Sequence, residues 1–389
     1  MAERSVLIAS PHHWTSPFQV AGQHLARAFL GAGWRVAYVS DPISPLHLGA
    51  GLSPDLRSRF TIYRTGGITI DQGRLWAYVP GAAFTPHRGP LLSSRWVHRH
   101  WQTYTLPNLL GAVERHGFGK VDLLLLNSAV QSFWLDAVEH RASVLRIGDR
   151  MTAFDNYTPA MAEMTREAAQ CADLVVYTAR SLHDDVLAMR PQATLHLPNG
   201  VDLDHFADTA DPTPTDLASI PRPRAIYVGA LDTWFDFELV GRVAKALPDV
   251  SFVLIGPPDL ARARLVARPN LHLLGSRPYS ELPAYLRSAD VGLIPFDVRG
   301  HPDLVRSIHP LKLYEYLASG LPIVATRWEE LSELGAPAIL ADDLDRYVAA
   351  IRQAISDGLD VAAADSFLQG ASWLARARTL TDAVGLGER

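Results

Sequence analysis

Short apolar runs, each followed by a stretch of helical periodicity, recur along the whole chain and limit its fold more tightly than any other feature. Each run is long enough for one buried strand and far shorter than the roughly 18–20 residues that a membrane-spanning helix needs. The pattern predicts strands near 5–9, 36–39, 121–126, 143–147, 173–177 and 194–197 in the first half, then near 224–228, 251–255, 271–274, 291–294 and 322–325. Alternating strands and helices build parallel sheets covered by helices, so the expected class is α/β. The chain has 389 residues, enough for two domains of ordinary size. Between the two sets of strands, residues 204–223 are rich in Pro, Asp and Thr (Thr209-Ala-Asp-Pro-Thr-Pro-Thr215), a linker composition. The expected domains are therefore 1–203 and 224–371, joined through 204–223.

One segment adds chemistry to this frame. In Ser307-Ile-His-Pro-Leu-Lys-Leu-Tyr-Glu-Tyr-Leu-Ala-Ser-Gly-Leu-Pro-Ile-Val-Ala-Thr326, Pro310 stands where a helix begins, its φ preset and its N–H already absent. Gly320 and Pro322 stop that helix before a short buried strand. Lys312 and Glu315 are three apart and share one helix face near the N-terminus. Free N–H groups and the positive dipole end bind phosphate at such a terminus. A lysine adds charge, and a carboxylate one turn on can accept hydrogen bonds from sugar hydroxyls. His309, Pro310 and Leu311 lie at this helix start. A nucleoside diphosphate fits the combination; an amphipathic surface helix with a Lys–Glu pair is the alternative.

The strands ahead of this helix end in glycine. Strand 224–228 runs into Gly229-Ala230-Leu231, strand 251–255 into Gly256, and strand 271–274 into Gly275-Ser-Arg277-Pro-Tyr279. Open α/β sheets bind ligands at the carboxyl ends of their strands, where glycine allows close backbone approach. No Gly-x-Gly-x-x-Gly follows the first strand of either half, which argues against a nicotinamide dehydrogenase.

In the first half, strand 5–9 leads into a polar loop holding His12, His13, Trp14, Thr15, Ser16 and Gln19, then a helix with His24. The paired histidines lack an HExxH pattern or a third ligand at useful spacing, so no metal site is expected.

These motifs resemble a known family. The segment 310–324 is similar to the donor-binding signature of GT-B glycosyltransferases, in which the equivalent lysine contacts the donor diphosphate and the equivalent glutamate its ribose. The loop 10–20 and the stretch 34–45 resemble the glucuronosyltransferases of xanthan biosynthesis and related polysaccharide enzymes. The resemblance implies two Rossmann-like domains facing across a cleft, an N-terminal acceptor domain, and a last helix (about 372–389) packed back on it. It places Arg277 and Tyr279 beside the nucleobase, and the loop 12–24 at the acceptor. It implies a nucleotide-sugar donor, UDP-linked and with UDP-glucuronate among the candidates, needing no metal or other cofactor. The acceptor would be a lipid-linked or saccharide precursor at the inner membrane face.

One departure matters. The family pattern often carries an earlier glutamate where this chain has Ser307, and retaining members use that glutamate around the donor sugar. Its loss favours inversion, which needs a base to deprotonate the acceptor hydroxyl. Asp149, at the mouth of strand 143–147, matches the aspartate that serves as base in the relatives; Arg146 and Arg150 flank it and are expected to hold it ionised. Asp155 is its rival, and His12, His13 and His24 are further candidates.

Composition bounds the setting. The single cysteine, Cys171, permits no internal disulfide and suits a reducing compartment. The N-terminal run Val6–Ala9 is too short for a signal segment, so a cytoplasmic location is expected. Residues 1–200 hold 18 Lys and Arg against 15 Asp and Glu, and 11 of the 15 histidines, whereas the remainder is acidic. That mild basic excess suits an anionic lipid surface or a phosphate-bearing acceptor and is too small for nucleic acid. The Trp–Arg mixture in 91–113, with Trp76-Ala-Tyr-Val-Pro80, is the expected membrane-facing surface. Arg299 or Arg306 would serve a donor carboxylate. Two other readings stay open: a nucleotide-sugar 2-epimerase, which shares the fold, and a non-catalytic scaffold that retains it.

Overall fold

The computed structural model describes residues 3–48, 53–86, 92–154, 157–207 and 212–387. The chain divides into two compact units, Met1–Pro198 with Trp373–Arg389, and Asn199–Ser372.

The first unit is built on eight strands: β1 (Ser5–Ser10), β2 (Arg35–Ser40), β3 (Ile68–Ile70), β4 (Leu75–Tyr78), β5 (Lys120–Leu126), β6 (Glu139–Ile147), β7 (Leu174–Tyr177) and β8 (Thr194–His196). Their order is β3-β4-β2-β1-β5-β6-β7-β8, parallel except for the antiparallel β3–β4 pair. Val6, Leu7, Ile8 and Ala9 of β1 are wholly buried, because helices cover both faces of a parallel sheet. The order reverses direction between β1 and β5, so the loops leaving those strands part and leave a crevice at their carboxyl ends.

The second unit carries β9 (Arg224–Val228), β10 (Ser251–Ile255), β11 (Leu271–Leu273), β12 (Val291–Ile294), β13 (Ile323–Thr326) and β14 (Ala338–Ala341). Its sheet is parallel, in the order β11-β10-β9-β12-β13-β14, and reverses between β9 and β12. Both sheets are of the doubly wound kind that the alternating sequence pattern predicts.

Three strands escape the sequence pattern. β3 and β14 are short edge strands, and β4 reads as an aromatic surface segment in sequence. That expectation is corrected here: Trp76, Tyr78 and Val79 are at most 2% exposed, packed as a strand interior, for which aromatic residues are well suited.

The expected linker is corrected as well. Phe206, Leu217 and Ile220 are buried in the core of the second unit, and Asp216 is bound by Arg277 of the same unit. Residues 199–207 and 212–223 thus belong to that unit, because a few apolar anchors outweigh a Pro-rich composition. At the other end, the helix Trp373–Ala383 packs on the helix Ala21–Gly31 within the first unit, and Trp373 stacks on His24 at 5.2 Å.

Candidate active site

In the second unit the helix Leu311–Ala318 begins beside the point where the sheet order reverses. Its N-cap, Pro310, offers no side-chain cap, so no capping side chain takes up the first N–H groups. Lys312 is aimed at the end of β9: its ammonium lies 5.1 Å from the Tyr227 ring and 5.5 Å from the Phe296 ring. Gly229 has φ +146°, and a Cβ there would come within 2.8 Å of both Cε and Nζ of Lys312. A Cβ on Gly256 would come within 2.0 Å of the Gly229 carbonyl oxygen. Glycine at 229 and 256 is therefore what lets the lysine reach the strand ends.

Burial acts on both charged groups of this helix. Lys312 is lowered to about 8, by desolvation first and with Glu315 opposing. Glu315 is raised to about 7, again by desolvation, with Lys312 opposing. Neither charge is fully satisfied by the other, so an arriving dianion would find a cation in need of a partner.

Other residues expected at the donor are placed differently. Ser307 is fully buried and its hydroxyl donates to the Leu304 carbonyl at 2.9 Å, so it faces the protein rather than a ligand. His309 is also buried, with both ring nitrogens engaged by protein side chains. The Arg277 guanidinium is held by Asp216 at 2.6 Å and by the Tyr285 hydroxyl at 2.8 Å. Tyr279 stacks on His205, ring centroids 4.4 Å apart. Of the strand-end residues, Ala230 receives the Tyr227 hydroxyl on its carbonyl at 2.7 Å, and Leu231 is buried in the core. Local partners thus hold the Arg277 and Ser307 side chains.

In the first unit, Asp149 follows β6 as expected, but its electrostatics reverse the expectation. Burial raises its carboxyl to about 6, and Arg146 only partly offsets this. Arg146 is itself lowered to about 10 by the same desolvation. Arg150 does not help, because Asp185 binds it at 2.7 Å. A carboxylate with a pKa near neutrality is a better proton acceptor than an ordinary aspartate. Asp155, the rival, lies outside the described residues.

The loop 12–19 is largely stitched to itself. His13 lies 3.0 Å from Thr15 Oγ1 and 2.8 Å from Asp55, and Gln19 bridges the Ser16 carbonyl and Arg27. Ser16 is buried, and its Oγ accepts from the Phe18 N–H at 3.3 Å. Trp14 stands edge-on to Tyr38 beneath the Arg27 guanidinium. His24 is buried against Trp373. Only His12 and Thr15 of this set are exposed, whereas His13, Ser16 and His24 are buried in the scaffold.

Sequence reasoning missed Asp41, at the carboxyl end of β2. Its Oδ1 accepts from Ser128 Oγ at 2.8 Å and from Gln131 Nε2 at 2.9 Å, and burial raises its pKa against those bonds. The rule that picks out Asp149, a carboxylate at the mouth of a buried strand, applies equally to Asp41. Among the described residues, no three His, Cys, Asp or Glu side chains gather as a metal site would require.

Comparisons with known proteins place this arrangement. Residues 8–178 match the family described as glucuronosyltransferase GumK, N-terminal domain, and residues 222–357 match glycosyl transferases group 1. The putative teichuronic acid biosynthesis glycosyltransferase TuaH of Bacillus subtilis (strain 168) is 26% identical over 178 residues, a match spanning 43% of this chain and 44%, less than half, of that protein. Sucrose-phosphate synthase from Thermosynechococcus elongatus superposes with a TM-score of 0.64 at 16% identity, covering 98% of this chain and 97% of that one. Anabaena HepE in complex with UDP-glucose gives 0.62 at 14% identity, covering 98% and 99%. Each half matches a glycosyltransferase family over part of its length, and the solved structures show that the fold is GT-B, with the N-terminal half similar to the GumK domain.

Proposed function

We propose that this protein moves a sugar from a UDP-sugar to a lipid-linked or exopolysaccharide precursor, with inversion at the anomeric carbon and without a metal. The observation that carries the reading is Lys312, set at an uncapped helix start over the glycine-ended strands. Lys312 and the helix N–H groups would hold the diphosphate, and Glu315 the ribose hydroxyls. As the acceptor oxygen attacks the anomeric carbon, Asp149 takes its proton. The bond to the diphosphate breaks on the opposite face, and the leaving group keeps the electron pair while Lys312 stabilises its charge. Ser307 supports inversion, since no carboxylate stands at that position and its hydroxyl is turned inward.

Likeness to the GumK domain and to TuaH supports a polysaccharide precursor as acceptor, and HepE was solved with UDP-glucose. For the sugar, UDP-glucuronate is our first candidate on the strength of the GumK match. Of the two expected partners of its carboxylate, Arg306 is paired with Glu329 at 2.6 Å, which leaves Arg299 as the stronger choice.

The membrane side of the reading rests on an exposed aromatic group. Trp96 is 53% exposed and Tyr104 44%, with Phe84 against Tyr104 and Leu106 nearby at 75% exposed. Such side chains suit the headgroup layer of a bilayer. Among the described residues, no helix is long and apolar enough to cross a membrane. Arg95 and Arg99 are paired with Glu163 and Glu167, so they add less basic charge to this surface than the sequence suggests.

Incubation with a panel of UDP-sugars and lipid-extract acceptors, with the anomeric configuration of the product read by NMR, tests the reading. An inverted glycoside supports it. A retained configuration removes Asp149 as the base, and a donor epimerised without acceptor replaces transfer by epimerisation.

A further inference from the structure

His309 is buried just ahead of the helix Leu311–Ala318, and its contacts converge on that helix. The ring is buried between two partners: Nδ1 lies 3.0 Å from Glu330 Oε1, and Nε2 lies 2.8 Å from the Tyr314 hydroxyl. Glu330 is 1% exposed, on the neighbouring helix Glu329–Glu333, and Tyr314 sits two residues beyond Lys312. A carboxylate only accepts, so Glu330 holds a proton on Nδ1, while Nε2 meets the Tyr314 hydroxyl. The backbone of the same segment is held from outside as well. Asn199 Nδ2 donates to the His309 carbonyl at 2.7 Å, and Trp328 Nε1 donates to the Ile308 carbonyl at 3.1 Å.

A buried carboxylate–imidazole contact gives little net stability, because desolvation consumes most of the attraction. What it supplies is direction, since two planar groups and a hydroxyl meet in one arrangement only. The helix Leu311–Ala318 has no side-chain N-cap to fix its first turn. Its entry is set instead from behind, by side chains facing away from the ligand surface. Lys312 needs that setting, because the space over Gly229 that it occupies would not admit even a Cβ on the glycine.

We propose that His309 and Glu330 are positioning residues: through Tyr314 and the 307–310 backbone they fix the first turn of the helix and Lys312 against the end of β9, in register for a nucleoside diphosphate. The inference rests on the donor reading above. It separates the helix face that binds from the face that aims.

Titration calorimetry with UDP, alongside thermal unfolding without ligand, tests it in wild type, Glu330→Leu, Glu330→Gln and Tyr347→Phe. Tyr347 is the control, a buried tyrosine of the same unit whose hydroxyl donates to the Val324 carbonyl. Glu330→Leu should weaken UDP by about tenfold, the size expected when an outer partner of a binding group is lost. Glu330→Gln, whose amide oxygen can still accept from Nδ1, should recover most of that loss. Tyr347→Phe should lower the melting temperature and leave UDP affinity alone. If Glu330→Leu folds, melts lower and binds UDP as wild type does, the network is structural only and the inference is wrong. Should Glu330→Leu fail to fold, the Gln variant decides: a UDP loss as large as that of Lys312→Ala, despite a wild-type melting temperature, would also refute the rescue on which the inference depends. Absence of UDP binding in wild type would overturn the donor reading itself, and the positioning role with it.

Discussion

The two units gather the chemistry of their strand ends in opposite ways. In the second unit, Lys312 and Glu315 lie on one turn of one helix, and their partner Gly229 has no side chain at all. In the first, the carboxyl edge draws His12 from the loop after β1, Asp41 from β2, Ser128 from β5 and Asp149 from β6. A phosphate site can be compact because a helix N-terminus already supplies its donors. A site that must recognise a saccharide and move a proton needs groups from several strands, so its members are scattered in sequence.

The sharpest way to break this comparison is Asp149→Asn. If the base lies in the first unit and donor binding in the second, turnover should fall by roughly 10²–10⁴, the range for a lost general base, with UDP affinity unchanged. Rate measurements beside UDP titration separate the two, and a parallel loss of UDP binding would merge the roles. Asp41→Asn makes the comparison finer. A fall as large as that of Asp149→Asn would move the base to β2.

Next in size is Gly229→Ala. The new Cβ would meet Lys312 at 2.8 Å, and φ +146° is unfavourable for any side chain. UDP should weaken by about tenfold or more, since a lost charged contact costs at least that. Unchanged affinity by calorimetry would separate the lysine from the glycine.

The two units should also answer differently to pH. The Asp149 carboxyl is raised to about 6, and a base acts only when deprotonated, so kcat should rise with pH through about 6 and then level. Lys312 is lowered to about 8 and attracts diphosphate only when protonated. UDP affinity should therefore fall as pH rises through about 8, by up to about tenfold per unit. UDP binding near that pH should also take up a proton, measurable in buffers of different ionisation enthalpy. UDP affinity flat from pH 7 to 9 would take Lys312 out of the diphosphate site.

The smallest effect belongs to the surface. Trp96→Ala should reduce sedimentation with anionic vesicles by a few-fold, as expected when one aromatic ring leaves an interface, with soluble-acceptor turnover intact. Identical sedimentation would remove the aromatic group from the membrane account.

How far each region could be read from sequence follows from the same contrast. The second-unit helix was readable because Pro310, Lys312, Glu315 and Gly320 lie within a dozen residues and each acts locally. Both sheets were readable because parallel strands, buried on two faces, are continuous apolar runs. The partners of Ser307, His309 and Arg277 were unreadable because a motif shows spacing and not direction; the structure turns them toward Leu304, Glu330 and Asp216. Asp41 was passed over because its partners, Ser128 and Gln131, lie 87 and 90 residues away. The sign of the Asp149 shift was unreadable for a similar reason. Flanking arginines are visible in sequence, but burial, which outweighs them, belongs to the folded unit.

Whether Lys312 holds the donor diphosphate is decided by titrating UDP into wild type and Lys312→Ala at pH 7. Wild type should bind saturably, and the variant should lose at least about tenfold in affinity at an unchanged melting temperature. Equal UDP affinity in the two proteins would contradict that role.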